Sequence, residues 1–238
     1  MRNYIIRPIP LCKGARDRTQ LTYRRGQGEK VEICCYAWYI QGAKPQIIVD
    51  TGTTAEWYHT QGISQQEHLH YIEDSLGKFN VRLEDIDIVI LTHLHADHVE
   101  QVKKFTRAKF YVQKDELEAT RHPAMETEYV KSLFAGLDFE VLDGDAPITD
   151  GIKVIFTPGH TPGTQSVAVE TAQGIAVISG FCSVEDNFGN ESKGRPMAAP
   201  GVYTNLLQAY DSIIKVKQTA DIIIPLHDMK YTHVDAIP

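Results

Sequence analysis

The run Thr92-His93-Leu94-His95-Ala96-Asp97-His98 holds three imidazoles and a carboxylate within one short stretch. Neutral imidazole nitrogens and carboxylate oxygens are the usual ligands of zinc and related ions, so the composition of this run is that of a metal site. The chain has 10 histidines in 238 residues, and a His-X-His-X-Asp-His match arises in such a composition by chance only about once in a thousand chains. The spacing has a physical reason. His93 and His95, two apart in an extended segment, project from the same side and reach a common point. Asp97 and His98 then enter a helical turn that swings their side chains towards a neighbouring point. One loop can therefore serve two ions a few ångströms apart, the arrangement of two-metal hydrolysis.

Two more histidines sit where ligands to such ions are expected. His160 lies in Thr157-Pro158-Gly159-His160-Thr161-Pro162-Gly163, a turn dense in Pro and Gly that follows a strand-like run and would hold a side chain rigidly at a strand end. His227 follows another apolar run, in Pro225-Leu226-His227-Asp228. Alone, each reads as an ordinary histidine; beside the first motif, each reads as a ligand. His59, His68, His70, His122 and His233 have no such context and read as surface residues.

These loops need strands to carry them. Short runs rich in Val and Ile predict buried strands at Val31 to Ile40, Gln46 to Val49, Asp87 to Leu91, Lys109 to Val112, Lys153 to Phe156, Ser166 to Val169, Ile175 to Ser179 and Asp221 to Ile224. Helical patterns fall at Ser64 to Leu76, Val99 to Phe105, Met125 to Leu137 and Tyr203 to Lys217. In the last, Leu206, Leu207, Tyr210, Ile213, Ile214 and Lys217 form the expected stripe, with Thr204 as the cap. Three of the strands follow one another with no room for a helix between them. Antiparallel hairpins within a layered α/β protein are therefore expected, and residues 1–238 read as a single domain.

Composition narrows the function. With 42% hydrophobic and 23% charged residues the chain is an ordinary globular protein. A formal charge of -7 argues against gripping a nucleic-acid backbone. The basic stretch Lys13, Arg16, Arg18, Arg24, Arg25 and Lys30 is diluted by Asp17 and Glu29 and reads as a solvated surface loop. No segment has the roughly 18 apolar residues of a membrane span, and the N-terminal apolar run, broken by Arg7, is too short for a signal-peptide core. Cys12, Cys34, Cys35 and Cys182 are irregularly spaced and read as free thiols in a reducing compartment, with the cytoplasm the expected location.

Taken together, the sequence strongly resembles the metallo-β-lactamase superfamily of metal-dependent hydrolases. The matching pieces are Ile48-Val49-Asp50-Thr51-Gly52, the His93 to His98 motif, the Gly159-His160-Thr161-Pro162-Gly163 turn and the final His227, in the family's order. The resemblance implies an αββα four-layer sandwich of two mixed β-sheets with the metals at one edge. It implies that His93, His95 and His160 hold one ion, that Asp97, His98 and His227 hold the other, and that Asp50 braces the ligand loop. Within the superfamily the chain looks most like the N-acyl homoserine lactonase-type branch, on the strength of Tyr36-Ala37-Trp38-Tyr39-Ile40, Ala199-Pro200-Gly201-Val202-Tyr203 and His227-Asp228.

The pattern breaks at one place. The family carries an Asp after a strand ending in Gly, and its carboxylate bridges the two ions. Here Val177-Ile178-Ser179-Gly180-Phe181-Cys182-Ser183-Val184 puts Phe181 at that position. Either Cys182 enters as a thiolate ligand, or one ion is held tightly and the other weakly, or Asp186 reaches back from the following loop; a small buried thiol is the competing reading of Cys182. The lactonase-like branch also has a Tyr that contacts substrate a few residues further on. Val184 occupies that region, leaving Phe181 and Tyr203 as the candidates to touch substrate.

The expected protein is thus a hydrolase carrying one or two zinc ions, with iron or manganese as substitutes. A metal-bound hydroxide would open a lactone or a related cyclic ester or amide, and Asp97 would both ligate and orient the nucleophile or shuttle a proton. Its partner is a small molecule with an acyl carbonyl, with no nucleic acid and no membrane, and it acts alone or as a homodimer. Three alternatives stay open: a thioester hydrolase of glyoxalase II type, a mononuclear iron oxygenase acting on persulfides, and a metal-binding scaffold without catalysis. Substrate choice is expected to reside in the loops around residues 12–30 and 183–202.

Overall fold

The computed structural model describes residues 2–189 and 194–238; residues 190–193 of the second expected specificity loop lie outside the described residues. The chain begins with β1 (Ile5–Asp17), which pairs antiparallel with β2 (Lys30–Gln41) around the short α1 (Arg18–Leu21). Along β2, Cys34, Tyr36, Trp38 and Ile40 enter one core, while Ala37 and Tyr39 enter another. Successive strand side chains alternate between faces, and burial of both faces is why this run reads as almost continuously apolar.

After β3 (Ile47–Val49) come α2 (Ala55–Thr60), β4 (Glu67–His68), α3 (Ile72–Gly77), β5 (Ile88–Ile90), α4 (Ala96–Val99), β6 (Lys109–Gln113), α5 (Lys114–Ala119) and β7 (Phe139–Leu142). The first sheet has the order β4-β1-β2-β3-β5-β6-β7. It is antiparallel from β4 to β3 and parallel from β3 to β7. The second half supplies β8 (Ala146–Thr149), β9 (Ile152–Phe156), β10 (Gln165–Thr171), β11 (Gly174–Ile178), α6 (Glu185–Phe188), α7 (Leu206–Thr219) and β12 (Ile222–Ile224). Its sheet order is β12-β11-β10-β9-β8, antiparallel except at β11–β12, which α7 connects in parallel.

The two sheets face each other across a core that includes Trp38, Val49, Ile90, Val154, Val167 and Ile178. Ile72 and Leu76 of α3 cover the outer face of the first sheet, and Ile213 and Val216 of α7 cover the outer face of the second. This is the αββα sandwich of two mixed sheets. Among the described residues no helix is long and apolar enough to cross a membrane.

Four local expectations need correction. Lys13 and Arg16 of the basic stretch lie in β1 rather than in a loop, where Lys13 meets Glu32 and Glu67 at 3.5 and 3.1 Å; Arg18 meets Glu29 and Asp186 at 3.0 and 2.6 Å. The helix expected at 64–76 reduces to β4 and α3. Residues 125–137 form no α-helix: 3₁₀ turns at Pro123–Met125 and Lys131–Leu133 flank Tyr129, and the buried anchors are Tyr129 and Phe134. Five positions apart, these would lie about 140° from alignment on an α-helix. In α7 the buried stripe is Ala209, Ser212, Ile213 and Val216, Leu207 is exposed, and Asn205 rather than Thr204 caps the helix by accepting from Gln208 N. Leu207 and Tyr210 mark the wrong face because this helix packs Ala209 and Ser212 against the His160 loop. The Ser212 hydroxyl donates to Pro158 O at 2.7 Å, and a Cβ on Gly159, whose φ is +120°, would overlap the backbone of Ala209.

Candidate metal centre

The strand β5 delivers His93 and His95 at its C-terminal end, and α4 begins immediately afterwards with Asp97 and His98 in its single turn. From the second sheet, the loop between β9 and β10 brings His160, and the segment after β12 brings His227. Ring nitrogens of His93, His95 and His160 all lie within 4.8 Å of one another. A second group on the same scale joins Asp97 and His227 to Cys35. The His98 ring lies between the two, with its centroid 4.2 Å from that of His93 and 5.2 Å from that of His227. His93, His98, His160 and His227 are buried, whereas His95 and Asp97 are partly exposed, so the cluster opens to solvent on their side.

In four of the rings, hydrogen bonds fix which nitrogen is free. His160 Nδ1 lies 2.8 Å from Val202 O and His227 Nδ1 lies 3.0 Å from Cys34 O. A carbonyl only accepts, so both Nδ1 atoms carry hydrogen. His98 Nδ1 donates to the Asp50 carboxylate at 2.8 Å. The Thr92 hydroxyl donates to Asp50 at 2.8 Å, which leaves it to accept from His93 Nδ1 at 3.1 Å. In the neutral rings the Nε2 lone pairs therefore point inward. His93 Nε2 and His160 Nε2 face each other at 3.2 Å, and buried His95 Nε2 has no hydrogen-bond partner. His98 Nε2 and His227 Nε2 lie 3.4 and 3.6 Å from the Asp97 carboxylate. Lone pairs converging on one another and on an anion are unfavourable unless cations sit among them, so this donor set fits metal ions.

Burial, reinforced by the neighbouring rings, holds His93 and His160 well below the ordinary histidine range. Burial also lowers His95 to about 4 against the pull of Asp97. These rings are neutral at physiological pH, as ligands must be. Burial also opposes a charge on His98, but Asp97 and Asp50 on either side outweigh it and raise that ring's pKa; a cation would take the proton's place. For Asp97, burial favours the neutral acid, yet His98 and His227 overcome it and keep the carboxylate ionised.

Two buried carboxylates brace the ligand loops. Asp50, in the left-handed region at φ +54°, accepts from Thr92 N at 2.7 Å in addition to the Thr92 hydroxyl and His98. It thereby ties β3 to both ends of the Thr92–His98 run. Glu116 of α5 was not singled out by the sequence. It accepts from Leu94 N at 2.9 Å, the Thr161 hydroxyl at 2.6 Å and Gly163 N at 3.1 Å, clamping the His93–His95 loop to the His160 turn. A Cβ on Gly163 would overlap the backbone of Glu116, so the turn's second glycine is what allows α5 so close. The only hint in the sequence is an acid in the charged run Lys114-Asp115-Glu116, which reads as a solvated face.

The residues near the break in the pattern are placed differently. Phe181 is 1% exposed and packs on Phe188, at 5.9 Å between ring centroids, within the α7-side core. It is thus buried away from any substrate. Cys182 belongs to neither ligand group: its sulfur is 4.0 Å from Gln20 O, and burial pushes its thiol up to about 12. Asp186 is taken by Arg18. Tyr203 is half-exposed, packs edge-to-face on Tyr23 and follows the Val202 carbonyl that orients His160. Cys35, which the sequence offered only as a free thiol, is in the second ligand group; Cys12, its partner across the strand pair, and burial push its thiol well above the ordinary range.

The profile of the metallo-beta-lactamase superfamily matches residues 35–217, most of the chain. The chain belongs to that superfamily. Among its curated relatives, an N-acyl homoserine lactonase from a Bacillus species is 25% identical over 197 residues, covering 77% of this chain and 78% of its own length. Among solved structures of the superfamily, a variant of the Bacillus thuringiensis lactonase AiiA, with N-decanoyl-L-homoserine bound at its active site, superposes with a TM-score of 0.77 at 24% identity, covering 98% of this chain and 96% of that one. The dizinc quorum-quenching lactonase AidC, in complex with a product, gives a TM-score of 0.67 at 17% identity over 98% and 89% of the two chains. At these identities the structural matches establish the shared fold.

Proposed function

We propose that this chain is a two-ion metallo-hydrolase that opens the ester of a lactone ring, with N-acyl homoserine lactones the class its relatives point to. The observation that carries the reading is the convergence of ring nitrogens from five buried or half-buried histidines beside the Asp97 carboxylate, four of them through Nε2. His93, His95 and His160 would hold one ion; Asp97, His98 and His227 would hold the other. Zinc suits this nitrogen-rich set. Such ions supply Lewis acidity, polarising an acyl carbonyl and acidifying water.

The chain's own groups supply the rest. Asp97 is ionised and partly exposed, so it would orient the attacking water by accepting its hydrogen bond, take up the proton released as the water adds to the carbonyl, and pass that proton to the leaving alkoxide. Asp50 and Glu116 hold the ligand loops in register, which limits reorganisation during the reaction. A groove of about 270 Å³ lined by Tyr23, Met197, Ala199, Leu206 and Tyr210 runs beside the segment that orients His160, and its apolar walls suit an acyl tail. All four cysteines are free, which supports a reducing, cytoplasmic setting.

A panel of substrates offered to zinc-loaded protein tests the reading: N-acyl homoserine lactones, thioesters, cyclic amides and β-lactams. Lactones are expected to turn over fastest. Turnover of a thioester without any lactone, or oxidation of a persulfide by an iron-loaded preparation alone, would overturn it.

A further inference from the structure

We propose that Cys35 supplies a thiolate ligand to the second ion, making good the carboxylate that Phe181 displaces. This rests on the two-ion reading above and adds a ligand to it from a strand, β2, that carries none of the histidines.

Three observations place the sulfur there. Cys35 Sγ, a carboxylate oxygen of Asp97 and a ring nitrogen of His227 lie within 4.8 Å of one another, and Cys35 is 3% exposed. The position is built by the backbone. Cys34 N donates to His227 O at 3.1 Å, and His227 Nδ1 donates to Cys34 O at 3.0 Å. The peptide that aims His227 Nε2 at Asp97 therefore carries Cys35 with it. Strand alternation finishes the placement: Cys34 turns into the core between the sheets, and Cys35 turns to the opposite face.

The two replacement ligands named by the sequence, Cys182 and Asp186, lie elsewhere. Phe181 is packed into the α7-side core, Cys182 lies outside both ligand groups, and Asp186 is paired with Arg18. The charge argument favours Cys35 as well. A dication beside Asp97, His98 and His227 alone meets one anionic ligand. A thiolate adds the second negative charge that the missing carboxylate would have brought, its proton leaving to solvent as the ion binds. A sulfur ligand should bias the second position towards thiophilic ions such as zinc and cobalt over manganese.

Cobalt substitution under reducing conditions tests this directly, because a thiolate bound to Co²⁺ gives a near-ultraviolet charge-transfer band that imidazole and carboxylate do not. Unaltered protein is expected to bind two Co²⁺ per chain and to show the band. Cys35→Ala should lose the band and bind the second ion more than about a hundredfold more weakly, exceeding the 10–100-fold that loss of an outer partner costs. The visible ligand-field bands of the first ion, retained, would report that the variant is folded. Cys35→Ser, closer in size, should behave the same way, and Cys182→Ala should keep both band and stoichiometry. Two bound ions with no band, a band that survives in Cys35→Ala, or a band lost in Cys182→Ala would overturn the assignment of Cys35 while leaving the two-ion reading in place. Absence of any bound metal in the unaltered protein would overturn both.

Discussion

The two halves of the metal centre are built by different means. His93, His95 and His160 come from two loops that one buried carboxylate, Glu116, fastens together, and each loop keeps the glycines or strand end that its family pattern demands. Asp97, His98 and His227 meet at the junction of α4, β2 and the segment after β12. There the family's bridging carboxylate is gone and a thiol from β2 lies in reach. The first half shows how tightly a nitrogen site is specified when its loops are clamped from behind. The second, on the proposed reading, has a ligand position vacated where a neighbouring strand already carries a donor.

Variants can break this contrast. Replacing a ligand in either half, His93→Ala or His227→Ala, should abolish lactone hydrolysis, because two-ion chemistry needs both positions; a variant with near-normal turnover would remove that histidine from the site. Asp50→Ala should weaken both ions about 10–100-fold in a metal titration, since one carboxylate orients Thr92 and His98 together. An effect confined to one ion would show that the bracing is not shared. Glu116→Gln sharpens the contrast. It should weaken the first ion by about tenfold and leave the second near its normal affinity. It should also cost about 1–3 kcal/mol in chemical denaturation, because a buried donor now faces Leu94 N or Gly163 N. The smallest effect is expected of Cys182→Ala, with ion content and turnover unchanged.

What could be read in advance follows the same division. The His-X-His-X-Asp-His run, Asp50 and the glycine-flanked His160 turn are local: the ligands lie in short segments whose residue types have few other reasons to occur together. Apolar runs likewise revealed eight of the twelve strands, those covered on two faces, but not β1, whose buried Ile6, Ile9 and Leu11 are interspersed with Arg7, Pro8 and Pro10. Cys35 and Glu116 were not legible. Their placement comes from pairings between distant segments, Cys34 with His227 and Glu116 with Thr161, and a lone thiol or an acid in a charged run carries no local mark of such a partner. Helix patterns failed where packing overrode periodicity. In α7, small residues at Ala209 and Ser212 meet the close approach of Pro158 and Gly159, and Leu207 and Tyr210 of the expected stripe point outward while Ile213 stays buried.

The zinc content of the intact chain, measured after loading and removal of free ion, tests the central claim most directly. Two zinc ions per chain are predicted, one for each half of the centre. A chain that retains none, or that holds a single iron in place of the pair, would contradict it.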